Sequence, residues 1–213
     1  MDQLILCLET KDNAIILVSD GGCRDGRGSF GVAVGTMTEE LYSIEGPAPG
    51  HDELMSSFRS EGYGMLAGIN FMCLFIKTHN VCIPSNRVIT MYCDNLALVE
   101  WINKLMTCTI IPRMFIKPEA DIIMQIIHDL NELAERGLCI KILHVKGHQN
   151  KKTPYAELAR PAQLNVDADA YATNFLDNGR SVAYQLLPAN PITLYLSRKV
   201  STSKYKREVL DHT

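Results

Sequence analysis

A chain of 213 residues with 46% hydrophobic and 21% charged residues can close one sizeable core, which excludes a disordered or low-complexity protein. Its net charge of −3 lacks the broad basic field of a nonspecific DNA coat, yet leaves room for an enzyme that grips nucleic acid locally. No apolar run approaches the ~18 residues of a bilayer span, no signal-peptide pattern opens the chain, and the 7 scattered cysteines form no CxxC pair. The expectation is an intracellular protein of a reducing compartment, nucleus or cytoplasm, with no membrane partner.

The opening reads as β structure: the apolar run Leu4-Ile5-Leu6-Cys7-Leu8, a turn at Lys11-Asp12-Asn13, then a branched run from Ala14 to Val18 that stops at Ser19-Asp20-Gly21-Gly22. A glycine-rich stretch to Gly31 leads to strands at Val32–Val34 and around Leu41–Ile44, a three-strand meander. Pro47-Ala48-Pro49-Gly50 marks a loop. From Asp52 to about Lys77, Leu54, Phe58, Glu61, Met65, Ile69, Met72 and Ile76 recur at helical steps. A strand over Val88–Cys93 ends at Asp94-Asn95, and a helix follows over Leu96–Leu105. Pro112 and Pro118 bound a connector to a helix whose apolar face runs from Ile122 to Leu133 and closes near Gly137. Then come a strand at Leu138–Val145, a polar loop over 146–163, a helix at Asn165–Asn178, a strand at Ile192–Leu196 and a basic stretch from Arg198 to Arg207. This order predicts a mixed sheet with helices covering its faces.

Carboxylates stand where packing alone would not put them. Asp20 and Asp94 each end a buried apolar strand, and functional residues collect at strand carboxyl ends in such sheets. Glu61 falls on the apolar stripe of the first long helix, where a carboxylate is costly without a cation or hydrogen bonds. Asp167 and Asp169 lie on the last long helix. Taken singly, these acids also read as helix caps and surface charges. Converging from two strand ends and two helices, four of them repel one another without a counterion, and oxygen ligands of this kind favour Mg²⁺ or Mn²⁺. Two such ions about 3.5–4 Å apart serve phosphodiester hydrolysis.

These stretches resemble the ribonuclease H domain, in the form associated with reverse transcriptases of retroelement polyproteins. Val18–Cys23 with Gly31–Val34 is similar to the family's first strand and hairpin, and Arg59-Ser60-Glu61 with Met65-Leu66-Ala67 to its glutamate-bearing helix. Ile89–Asn95 resembles the next aspartate strand, His144–His148 the mobile histidine loop, and Asn165–Ala170 the helix of the last aspartate. The resemblance spans roughly residues 14 to 178. It implies an α/β ribonuclease H-like fold, a mixed central sheet of about five strands flanked by helices. A catalytic domain would occupy 1–178 and a C-terminal extension 179–213, packed on that domain or on a neighbouring module.

The resemblance also implies two Mg²⁺ ions, with Mn²⁺ as substitute, held by Asp20, Glu61, Asp94 and Asp169. Asp167 competes for the fourth place, and the family spacing of an asparagine four residues earlier, here Asn165, selects Asp169. His148 would assist product departure or proton transfer rather than bind metal. Gly22, Arg59, Asn95, Lys146 and Asn165 are the implied substrate contacts. The implied activity is endonucleolytic hydrolysis of the RNA strand of RNA–DNA hybrids by two-metal-ion catalysis, with a reverse transcriptase domain in the same polyprotein as a partner. Where the family places polar readers of the hybrid, this chain has Asp25 or Gly26, Phe58 and Leu96. Lysines and an arginine around the histidine loop (Lys141, Lys146, Lys151, Lys152, Arg160) and in the extension (Lys199, Lys204, Lys206, Arg207) are the candidate grip on phosphates. Two other readings stand beside this one: a nuclease or strand transferase of the same fold acting on DNA, and a non-catalytic nucleic-acid-binding scaffold.

Overall fold

Branched residues from Ile15 to Val18 form the centre of a five-stranded sheet, ordered β3 (Glu40–Ala48), β2 (Arg27–Gly35), β1 (Ile16–Arg24), β4 (Arg87–Cys93) and β5 (Leu138–His144). The computed structural model describes residues 2–10, 14–50, 55–108, 114, 117–189, 194–196 and 199–201. β1, β2 and β3 make an antiparallel meander, while β1, β4 and β5 run parallel, so the sheet is mixed. Side chains of β1 alternate between two cores. Leu17 joins Met91, Met65, Ile69, Ile102 and Ile123 beneath α2 (Ser57–His79), α3 (Leu96–Thr107) and α4 (Ala120–Glu135). Ile16 and Val18 join Ala33, Ala162 and Leu164 beneath α5 (Arg160–Asn178) on the opposite face.

The opening segment corrects the sequence reading. Leu4 to Leu8 lies in a helix, α1 (Gln3–Glu9), capped by the Asp2 side chain accepting from the Leu4 amide at 2.9 Å. Leu4, Cys7 and Leu8 are buried at helical spacing, while Leu6 is 49% exposed. With Ile5 and Leu6 also apolar, the stripe has no polar contrast by which to be seen.

Several boundaries also move: α2 starts at Ser57 behind a Ser56 cap rather than at Asp52, and β2 starts at Arg27 rather than Val32. β1 continues through Ser19-Asp20-Gly21-Gly22 to Arg24, because pairing with β2 carries it out of the core into a hairpin. β3 runs through Pro47 to Ala48, on a sheet edge where a proline costs no ladder bond. The polar loop contains short 3-10 turns at Gln149–Lys151 and Tyr155–Glu157, and α5 begins at Arg160 because Pro161 suits its first turn. Lys11–Asn13, Asp52, Leu54, Pro112, Ile192, Arg198 and Lys204–Arg207 lie outside the described residues.

Beyond α5 the chain returns to α4: Leu187 packs against the main core and the Ala189 amide donates to Gln125 Oε1 at 3.0 Å. β6 (Leu194–Leu196) and β7 (Lys199–Ser201) then pair as a small antiparallel ribbon. No helix among the described residues is long and apolar enough to cross a membrane.

Candidate active site

The parallel register pairs Ser19 of β1 with Cys93 of β4, so Asp20 and Asp94 leave neighbouring strands side by side. Strand alternation turns Asp20 the same way as Ile16 and Val18, towards α5. Asp20 is only 7% exposed. Its Oδ1 accepts from the Gly21 amide at 2.7 Å and its Oδ2 from Asn165 Nδ2 of α5 at 3.2 Å.

Glu61 arrives from α2, on the opposite face. It reaches the strand end because α2 presses its backbone onto Gly21: a Cβ there would stand 2.2 Å from the Glu61 nitrogen. Glu61 is 6% exposed, and the Cys93 thiol donates to its Oε2 at 3.6 Å. Sequence reasoning passed over Cys93, although the alternation of Ile89, Met91 and Cys93 marks it as turned to the α2 face. Ligand atoms of Glu61, Cys93 and Asp94 lie within 4.8 Å of one another.

Asp169 projects from α5 half-buried, and its negative charge is felt by both Asp20 and Asp94. Asp167 is engaged elsewhere, accepting from Tyr155 Oη at 2.8 Å. His148 is exposed on its loop with φ of 52°, a left-handed conformation uncommon outside glycine. That loop touches the acids through Gly147, where a Cβ would stand 2.2 Å from Asp94 Oδ2. His144, at the end of β5, places Nε2 3.1 Å from the Asp94 carbonyl oxygen.

The electrostatics follow from burial and like charge. Burial, then the charges of Asp94 and Asp169, pushes the Asp20 carboxyl up to about 7. Burial and the charges of Asp20 and Asp94 raise Glu61 well above the ordinary carboxylate range. Asp94 is raised chiefly by burial. Burial likewise holds Cys93 as a thiol, which leaves carboxylate oxygens as the donors. Among the described residues no salt bridge reaches Asp20, Glu61, Asp94 or Asp169. A hard divalent cation fits this oxygen-rich cluster, which no salt bridge neutralises among the described residues. A second triplet on α4, His128, Asp129 and Glu132, also brings three ligand atoms within 4.8 Å, but Glu132 is already paired with Lys77 and Arg136.

The expected substrate contacts divide. Lys146 is exposed beside His148, and Gly22 lies half-buried in β1. Asn95 caps α3, its side chain accepting from the Leu98 amide at 3.1 Å, and Asn165 is spent on Asp20. Arg59 is a correction: it is 0% exposed, its guanidinium 2.5 Å from Glu119 and 3.0 Å from Asp121, so it cannot meet a substrate. Lys141, Lys151 and Lys152 are exposed, whereas Arg160 donates to the Thr36 carbonyl. Phe58 stacks near Trp101, centroids 6.1 Å apart, and Leu96 is 49% exposed.

No known protein-family profile matches the sequence, and no curated protein matches it. Solved structures do. Ribonuclease H1 from the halophilic archaeon Halobacterium salinarum NRC-1 superposes with a TM-score of 0.50 at 13% identity, over 78% of this chain and 98% of the archaeal one. The N-terminal ribonuclease H domain of rv2228c from Mycobacterium tuberculosis gives 0.49 at 14% identity, over 79% and 96%. The foamy viral protease–reverse transcriptase bound to an RNA/DNA hybrid gives 0.48 at 12% identity, over 76% of this chain and 20% of that one. The likeness to the archaeal enzyme is one of architecture: a mixed five-stranded sheet, helices on both faces and a closing helix give this chain a ribonuclease H-like α/β fold.

Proposed function

We propose that this chain is a divalent-metal-dependent endonuclease that hydrolyses the RNA strand of RNA–DNA hybrids. One observation carries the reading. Carboxylates from β1, α2, the end of β4 and α5 act on one another at a strand end with no salt-bridge partner among the described residues, in a fold shared with an archaeal ribonuclease H1. Asp20, Glu61, Asp94 and Asp169 would hold Mg²⁺, or Mn²⁺ in its place. When bound, such ions supply Lewis-acid activation and neutralise charge developing on the phosphate.

The chain's own groups do the rest. Asn165 and the Gly21 amide fix the Asp20 carboxylate, so its oxygens need no reordering on cation entry. The attacking water forms the new P–O bond, the P–O3′ bond breaks, and the proton lost by the water ends on the departing 3′ oxygen; His148 would assist that transfer or product departure. The products carry a 5′ phosphate and a 3′ hydroxyl. Lys146, Lys151 and Lys152 lie exposed around His148, where they can hold the backbone over the acids. A reverse transcriptase domain in the same polyprotein is the proposed partner, and Mg²⁺ the working ion.

The test is cleavage of end-labelled RNA–DNA hybrid beside DNA and RNA duplexes, in Mg²⁺, Mn²⁺ or EDTA, with Asp94→Asn as control. Hybrid-only cutting that needs the ion and Asp94 is the expected result. Cutting of DNA duplex would move the protein to another nuclease class, and survival of every duplex would leave a binding scaffold.

A further inference from the structure

Among the described residues the largest fully buried side chain is charged. Arg59 is 0% exposed and sits two residues before Glu61 in the first turns of α2. All five of its N–H donors have an acceptor. Nε donates to the Pro49 carbonyl at 2.9 Å, Nη1 to Glu119 at 2.5 Å and Asp121 at 3.3 Å, and Nη2 to Asp121 at 3.0 Å and Tyr63 Oη at 3.4 Å. Glu119 is held at φ of 57° as the residue capping α4, a conformation that costs energy and persists where the surroundings enforce it.

The last member of this joint comes from outside the catalytic layers. Tyr184, in the segment beyond α5, donates its hydroxyl to Asp121 Oδ2 at 3.1 Å and lays its ring 5.2 Å from the guanidinium carbon of Arg59. Tyr63 covers the guanidinium at the same 5.2 Å. A cation enclosed by aromatic rings and two carboxylates has one low-energy position, because moving it strands charges that water cannot reach.

We infer that the segment from Gly179 to Ala189 is a strap belonging to the catalytic module, in which Tyr184 is a positioning residue: it completes the Arg59 joint and so sets where α2 presents Glu61. The inference rests on the reading of Glu61 as a cation ligand. Arg59 and Glu61, two residues apart, project from different sides of α2, one to α4 and the other to the end of β1. Loosening the first therefore shifts the second along the sheet.

The test uses the full chain with Tyr184→Ala, Tyr184→Phe and, as a control on the same segment, Leu186→Ala, whose side chain is 58% exposed. Mn²⁺ affinity is read from the free-ion electron paramagnetic resonance signal, and amide exchange is followed over α2 and β1. Tyr184→Ala is expected to weaken Mn²⁺ binding about tenfold or more, the cost typical of removing a group that orients a metal ligand. It should also speed exchange in the first two turns of α2 ahead of the sheet. Tyr184→Phe, which keeps the ring but loses the hydroxyl bond to Asp121, should fall between parent and alanine variant with a smaller, measurable loss of both, and serves as the test if the alanine variant does not fold. Leu186→Ala should match the parent. Unchanged affinity, or exchange rising evenly across sheet and helices, overturns the inference. If the parent itself binds no Mn²⁺, the nuclease reading fails, and local exchange in α2 still decides whether Tyr184 sets the joint.

Discussion

Asn165 donates through Nδ2 to Asp20 Oδ2 at 3.2 Å, joining α5 to the central strand at a site where both residues are buried. An amide in this place gives the carboxylate a neutral donor, so Asp20 is oriented while its charge stays available to a cation. Asn165→Ala should therefore destabilise the fold by about 1–3 kcal/mol through the lost partner. It should also lower cleavage more than substrate binding. A denaturant midpoint and a split of kcat from KM check this; a loss confined to KM would assign Asn165 to the substrate instead.

The buried acids make a signed prediction for pH. Asp20 lies at about 7 in the fold against an ordinary 3.8, so between those values the metal-free folded protein keeps a proton that the unfolded chain has released. Glu61 is displaced in the same direction. In EDTA, stability should fall as pH rises from about 4 to about 7, the reverse of a salt-bridged aspartate. Mg²⁺ should flatten that slope, with its largest gain at the alkaline end. Thermal melts at about pH 5 and about pH 8, with and without the ion, test this; stability rising with pH in EDTA would contradict it.

Gly147 has no room for a side chain beside Asp94, since the added carbon would stand 2.2 Å from Oδ2. Gly147→Ala must displace either the carboxylate or the histidine loop. Cleavage should drop sharply, while melting in EDTA moves little because the loop is largely exposed. A variant with full activity would show that the loop yields without cost.

Asp167 and Asp169 separate cleanly by partner. Asp167 accepts from Tyr155, whereas the charge of Asp169 raises both Asp20 and Asp94. Asp169→Asn should weaken Mn²⁺ binding about tenfold or more. Asp167→Asn should leave binding as it was and loosen only the Tyr155 turn. Calorimetric titration of both variants distinguishes them, and the opposite pattern would exchange their roles.

The strands bearing Asp20 and Asp94 were legible because branched, buried runs ending in an acid leave a local mark in sequence. α5 was legible from Asn165 to Asn178, although its first turn, from Arg160, falls in what reads as polar loop. The helix at Gln3–Glu9 was not, since its five consecutive apolar residues carry no period. Arg59 misled for a different reason. Beside Glu61 it reads as a substrate contact, and its true partners, Glu119 and Asp121, are distant in the chain and met only by folding. Cys93 escaped because its neighbour Asp94 drew the chemical reading, while its burial under Glu61 is a tertiary fact.

The parallel pairing of β1 with β4 has a kinetic consequence. β2, β3 and α2 separate Asp20 from Asp94 along the chain, and the two become neighbours only when β1 and β4 pair. A cation thus finds no partial site in the unfolded chain and cannot nucleate the fold as zinc does in small fingers. Pairing of such separated strands is slow, because the loop must close before any contact rewards it. On the proposed reading a divalent ion would bind after that step. It should then lengthen the lifetime of the native state while leaving the refolding rate almost untouched, a late lock on a topology already won.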